Sequence, residues 1–266
     1  MNLVGKLDYE ETRLRSITAR FPARIEKLFV NYTGIRVAAD DHLARIYSPE
    51  LLTAQRELLT AHTADPTSNF ARIAREKLRL WDLMPAQIDA IVAAGQPDEE
   101  FELRAPIGGV VVTKNVQEGD YLKTGDPLFR IADLSMLWLH LNAFESDLAW
   151  LRFGQDLSFN VEAYPGETFH GRIAFIAPEV DLQTRTTAIR VNVANHDGRL
   201  KPGMLARGQV QALLSADAHV VVPELAGKWI CPMHPEVITD GAGQCPSLWH
   251  GFGADHCHGL RRNQIR

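Results

Sequence analysis

The chain has 266 residues, 45% of them hydrophobic and 23% charged, the balance of an ordinary globular protein rather than a disordered or fibrous one. A net charge of -5 with a pI near 6.1 leaves no basic stripe and excludes nucleic acid as a partner. No stretch reaches the ~18–20 apolar residues that span a bilayer.

The chain opens on Val4, Leu7 and Tyr9, which read as the middle of a strand running into a polar turn. An upstream segment, with any secretion signal, is therefore expected to precede Met1. Residues 3–20 are expected to join a β-barrel built later in the chain.

Residues 24–47 and 110–132 form an imperfect internal repeat, each reading strand, turn, strand, turn, strand. Gly34 falls on Gly119, Val37 on Leu122, Asp41 on Asp126, Leu43 on Leu128 and Ile46 on Ile131, with one extra residue before the first glycine. A turn that needs positive φ recurs with glycine in both copies because glycine has no Cβ to clash.

Between the copies the period changes to that of helices. Ser48-Pro49-Glu50 supplies a cap, a first-turn proline and a charge that favours the helix dipole, and a helix is expected from Pro49 to His62. A second places Phe70, Ile73, Ala74, Leu78 and Trp81 on a face expected to be buried, ending near Leu83. A third fits Pro85 to Ala94, with Gly95 placed to stop it. From Leu137 onward, short alternating strands (LWLHLNAF, DLSFNVEAY, HGRIAFIA, TAIRVNVAN, ARGQVQALL) predict an antiparallel barrel or sandwich, with a short helix over Glu145–Phe153. The fold class expected is mainly β with an inserted α-helical hairpin. A lipoyl-like domain (21–47 and 99–134) is split by the hairpin (48–98), beside a barrel (1–20 and 135–215), a linker (216–228) and a tail (229–266).

The strings VNYTG, ARIYSPELLTAQRELL, LRAPIGGVV, VQEGDYLKTGDPLFRIADLSMLW, VDLQTRTTAIRVNVAN and LKPGML, in this order, resemble the periplasmic adaptor (membrane fusion protein) family of resistance-nodulation-division efflux systems, above all its copper/silver and cobalt-zinc-cadmium branch. The resemblance implies a non-catalytic protein in the periplasm, associated with the membrane. It would bridge an inner-membrane transporter and an outer-membrane channel as a ring of copies. It carries over Gly34, Gly109, Gly119, Gly125, Thr184, Arg185, Gly203 and Met204 as structural residues. Two positions depart from the family: Ala23 and Asp40 stand where glycine is usual. A membrane-proximal β-domain usual after VVPE is also replaced by a cysteine-rich tail.

That tail, WICPMHPEVITDGAGQC, resembles a small heavy-metal-binding module. The thiolate, thioether and imidazole of Cys231, Met233 and His234, closed by Cys245, form a soft set suited to copper(I) or silver, or to zinc with less sulfur; no organic cofactor is implied. A Cys231–Cys245 disulfide and an unligated remnant are the alternatives. The module usually continues Cys-Pro-x-Cys-Gly-Met. Leu248 to Gly251, written CTG TGG CAT GG, spells Cys-Gly-Met when read one base later, so residues 248–266 are expected to be out-of-frame sequence. His250, His256, Cys257 and His258 are secondary ligand candidates.

Three rival functions remain. In a biotinyl or lipoyl carrier, a lysine would sit on the turn joining the two halves, but the helical insert occupies that junction and Lys27 and Lys114 lie in strands. A soluble metal buffer would use the tail alone. A drug-efflux adaptor would share the body. No nucleophile, general base or phosphate loop stands out, so an enzyme is not expected.

Overall fold

The computed structural model describes residues 1–214, 220–222, 228–230 and 237–241. Alternation of buried Leu3 and Leu7 with exposed Val4 and Lys6 makes the first strand, β1 (Asn2–Tyr9). After a 3-10 turn at Glu11–Arg13 come β2 (Leu14–Thr18), β3 (Ala23–Leu28), β4 (Arg36–Val37) and β5 (His42–Tyr47). Three helices follow: α1 (Pro49–Ala64), α2 (Asn69–Leu80) and α3 (Pro85–Ala94). Then β6 (Phe101–Arg104), β7 (Gly109–Lys114), β8 (Tyr121–Leu122) and β9 (Pro127–Ala132) complete the repeat.

The described residues divide into two units, residues 11–133 and residues 1–10 with the described residues from 134 onward. This corrects one boundary: β2, expected in the barrel, pairs with β9 in the split domain, Ile17 opposite Phe129 and Leu14 opposite Ala132. The 3-10 turn at Glu11–Arg13 interrupts the expected single strand, and Arg13 is anchored to Asp133 at 2.7 Å within the same unit.

The split domain is two four-stranded sheets, β2-β9-β7-β4 and β6-β5-β3-β8. Its two halves exchange hydrogen bonds in equivalent pairs. The Gly34 N–H donates to the Val111 carbonyl at 2.8 Å, and its counterpart Gly119 donates to Ile25 at 2.9 Å. Asp40 donates to Ala105 and Gly125 donates to Ala19, both at 2.8 Å. The side chain of Asp41 accepts from Ala38 N–H at 2.6 Å, and that of Asp126 accepts from Lys123 N–H at 2.7 Å. Each half thus supplies partners for the other half's turns, so the core forms only when both copies are present.

Both repeat glycines sit at φ 89, where a side chain is strained. Asp40, aligned with Gly125 at φ 96, holds φ 72 as a non-glycine residue. Its exposed carboxylate meets half-buried Arg104 at 3.1 Å, and aspartate tolerates this region better than most residues. Asp40→Gly is expected to leave stability within about 0.5 kcal/mol, because relief of the backbone offsets a weak exposed ion pair. Asp40→Val, β-branched at positive φ, is expected to cost about 2 kcal/mol in urea unfolding.

The helical insert leaves and returns on one rung, Ile46 of β5 being paired with Phe101 of β6. Insertion therefore leaves the sheet intact. Ser48 caps α1 through the Leu51 N–H at 3.2 Å, and Gly95 stops α3 at φ 68. The buried face of α2 differs from expectation. Ala71, Ala74 and Leu78 are buried, whereas Phe70 and Ile73 are 79% and 57% exposed. The small alanines let α2 approach its neighbours closely, with Leu78 in the same core as Leu51, Ala54 and Leu58 of α1.

The second unit contains β10 (Met136–Phe144), β11 (Asp156–Val161), β12 (Phe169–Ile176), β13 (Thr186–Ala194) and β14 (Leu205–Val210). With β1 they close as an antiparallel barrel in the order β1-β10-β13-β12-β11-β14. Leu137, Leu139 and Leu141 face inward with Ile189, Val191 and Phe159. The helix expected at Glu145–Phe153 is a 3-10 segment, Glu145–Trp150, whose cap residue Phe144 offers no side-chain acceptor.

Candidate functional site

The expected ligands Cys231, Met233, His234 and Cys245 lie outside the described residues, as do His250, His256, Cys257, His258 and the whole of 248–266. Their flanks are described. After a short pair, β15 (Leu213–Leu214) with β16 (Val220–Val221), strands β17 (Trp229–Ile230) and β18 (Ile238–Thr239) run antiparallel. Trp229 pairs with Thr239 and Ile230 with Ile238. Paired Cα atoms lie ~4.5–5.5 Å apart, so the segment carrying Cys231, Met233 and His234 begins and ends at one rung. Among the described residues no group of three or more His, Cys, Asp or Glu side chains is placed to hold a metal.

The motif residues of the body fall on turns and close approaches. Gly109 faces β9 so closely that a Cβ there would lie 2.4 Å from the Ala132 carbonyl oxygen. In the β12–β13 connection, Asp181 accepts from the N–H groups of Gln183 and Thr184 at 2.8 and 3.1 Å. These backbone donors, Thr184 first, hold the Asp181 carboxyl below its ordinary range. Thr184 and Thr186 hydroxyls meet at 2.7 Å, and Arg185 takes φ 54. Gly203, at φ 90, donates to Leu7 at 2.8 Å, and Leu7 donates back to Met204 at 2.9 Å. All of these groups shape backbone, and none is arranged with others for catalysis.

Two glutamines hold the hairpin to its base. Buried Gln55 on α1 donates to the Asp98 carbonyl at 3.1 Å and accepts from the Asp98 N–H at 2.6 Å. Gln87 on α3 accepts from Met84 N–H at 3.0 Å and donates to the Glu102 carbonyl at 3.1 Å. Glutamine is a common exposed helix residue, so the sequence carries no signal for these links; only the return of the chain at 98–102 reveals them. Lys114 Nζ, the strand lysine of the second half, donates to the Val116 carbonyl at 2.8 Å, which is not the placement of a carrier lysine on an exposed junction.

A split lipoyl-like sandwich carrying a helical hairpin, with a separate six-stranded barrel, defines the adaptor class of protein. Family models agree: "CusB, barrel-sandwich hybrid domain" matches residues 14–132, "CusB-like, beta-barrel domain" residues 136–213 and "Heavy metal binding domain" residues 228–247. The cation efflux system protein CusB of Escherichia coli K12 is 27% identical over 223 residues, covering 84% of this chain and 54% of that protein. The cobalt-zinc-cadmium resistance protein CzcB of Cupriavidus metallidurans is 26% identical over 246 residues, covering 82% and 46%. The solved structure of ZneB from Cupriavidus metallidurans superposes with a TM-score of 0.54 at 25% identity, covering 78% of this chain and 96% of that one. MacA from Actinobacillus actinomycetemcomitans shares the fold at a TM-score of 0.53 and 19% identity, covering 79% and 77%.

The chain carries the CusB-like barrel-sandwich hybrid and β-barrel domains found in the membrane fusion protein family of metal-efflux pumps. That family is one of adaptors, not enzymes. The chain spans about half the length of the curated relatives it matches.

Proposed function

We propose that the chain is a non-catalytic periplasmic adaptor that couples an inner-membrane transporter to an outer-membrane channel for export of heavy-metal cations, copper(I) and silver first, zinc, cobalt or cadmium next. The observation that carries this reading is the hairpin inserted at the junction of two interlocked half-domains. A carrier domain would need that junction for a modified lysine, whereas an adaptor uses it to project helices from a rigid base. The relatives' names, cation efflux and cobalt-zinc-cadmium resistance, support metals as the cargo. Copies are proposed to assemble as a ring. Co-purification of the tagged chain with the resistance-nodulation-division transporter of its own cell after mild cross-linking tests the partnership. Recovery of the chain without transporter would favour a soluble metal buffer.

Within this reading, Cys231, Met233, His234 and Cys245 are the ligands that receive metal, the sulfur-rich set favouring copper(I) over zinc. Titration of the reduced chain with copper(I) against a chromophoric competitor is expected to show one tight site. Cys231→Ser should weaken that site at least tenfold, with Cys245→Ser next. Undiminished binding in the double variant would place the ligands elsewhere. Absence of free thiol in the purified chain would favour the Cys231–Cys245 disulfide.

A further inference from the structure

Each sheet of the split domain ends on one side in an equivalent edge strand, β2 in one and β6 in the other. Both strands line a single cavity of about 500 Å³, closed on a further side by the segment that joins α2 to α3. Its walls are apolar: Ile17, Phe21, Leu83, Phe101, Leu103 and Leu128. Four arginines, Arg15, Arg20, Arg79 and Arg104, also line it, against a single carboxylate, Asp82. This is the size and character of a small-molecule site, an apolar interior with a few polar groups.

The arginines are not equally engaged. Arg20 is paired with Asp82, Arg79 with Glu76 at 2.6 Å, and Arg104 with Asp40 and Glu102, both at 3.1 Å. Even so, Arg104 Nε is buried without a hydrogen-bond partner. Arg15 reaches only the carbonyls of Thr12 and Leu14, at 3.2 Å each, and has no carboxylate partner among the described residues. A cation held beside an apolar cavity attracts a ligand that is itself divided, one end anionic and the other apolar.

We propose that this cavity binds a small amphipathic anion, an aliphatic monocarboxylate whose chain enters between β2 and β6 and whose headgroup is taken by Arg15. Trp81 reports on occupancy. It lines the cavity, its ring lies 5.2 Å from that of Phe21, and it is the one tryptophan between residues 11 and 133.

The test uses the full chain in chelator-containing buffer, with 11-bromoundecanoate as a quencher of tryptophan emission. Saturable quenching is expected, and Trp81→Phe should remove it. Arg15→Glu, an exposed substitution checked for folding by circular dichroism, should weaken binding at least tenfold, while Arg15→Lys should stay within threefold of the unchanged protein. Dodecanoate should displace the probe and dodecyltrimethylammonium should not. Non-saturable quenching, quenching that survives Trp81→Phe, equal binding by Arg15→Glu, equal loss in Arg15→Lys and Arg15→Glu, or equal displacement by the cation would each overturn the proposal.

Discussion

Alanine in place of Gly5 is expected to lower the stability of the barrel by about 3 kcal/mol, at the upper end for overpacked sites. Gly5 is paired on both sides, with Leu141 of β10 and Ala206 of β14. A Cβ there would lie 1.8 Å from the His140 carbonyl oxygen and 2.7 Å from the Leu141 Cα. Both obstructions are backbone, so no side-chain rotation relieves them and the β1–β10 pair must separate. Because β1 closes the barrel, separation there disturbs two ladders at once. A fall of roughly 10 °C in the barrel's thermal transition follows from ~2–4 °C per kcal/mol for a chain of this size. Gly34→Ala serves as the contrast. Nothing lies within 4 Å of a Cβ at Gly34, so its cost is conformational only, about 1–2 kcal/mol, and it falls on the split domain. Equal transitions for Gly5→Ala and the unchanged chain would show that β1 and β10 do not approach this closely.

Asn195→Leu is expected to cost a comparable 3 kcal/mol or more, although leucine has the same branched arrangement of side-chain heavy atoms as asparagine. Asn195 is 3% exposed. Its Nδ2 donates to the carbonyls of Leu134 and Leu200 at 2.9 and 3.0 Å, and its Oδ1 accepts from the Leu200 N–H at 2.9 Å. One amide thus satisfies three backbone groups where the chain leaves β13. Leucine would leave them buried without partners, at ~1–3 kcal/mol each before relaxation. Asn195→Asp keeps the acceptor but sets a buried carboxylate oxygen against the Leu134 and Leu200 carbonyls, so a cost at least as large is expected. Urea denaturation followed by far-ultraviolet circular dichroism ranks the three proteins. An unchanged midpoint for the leucine variant would contradict the assigned role.

The repeat was legible in the sequence because its signals are local. Glycines at positive φ and aspartates that bind backbone N–H groups three residues earlier recur in both copies, and even the departure at Asp40 marked a real position of positive φ. The extents of α1 and α3 followed from their caps. Partner choice was not legible. Alternation in β2 reads the same whether it pairs in the barrel or with β9, so residues 11–20 were placed in the wrong unit. The helical period of α2 admitted two neighbouring faces, and bulk favoured Phe70 and Ile73, whereas close helix packing selected Ala71 and Ala74. Gln55 and Gln87 gave no signal because their partners are backbone groups elsewhere in the chain. Gly5 gave a weak one, since a lone glycine in a strand often marks close backbone approach. The proposed metal ligands rest on chemistry read from Cys231 to Cys245 and on the match of residues 228–247 to a heavy-metal-binding family model.

The adaptor reading places function in the body, and the buffering alternative places it in the tail. Silver or copper accumulation in cells deleted for this gene separates the two when the full chain is compared with a chain lacking residues 49–94 but retaining the tail. The β5–β6 rung would rejoin the halves, and because the helices share a core with the sheets, circular dichroism of the shortened chain verifies that its body folds. The adaptor account predicts that the full chain lowers cellular metal and the hairpin-less chain, present at equal abundance, does not. Equal lowering by both chains would contradict it.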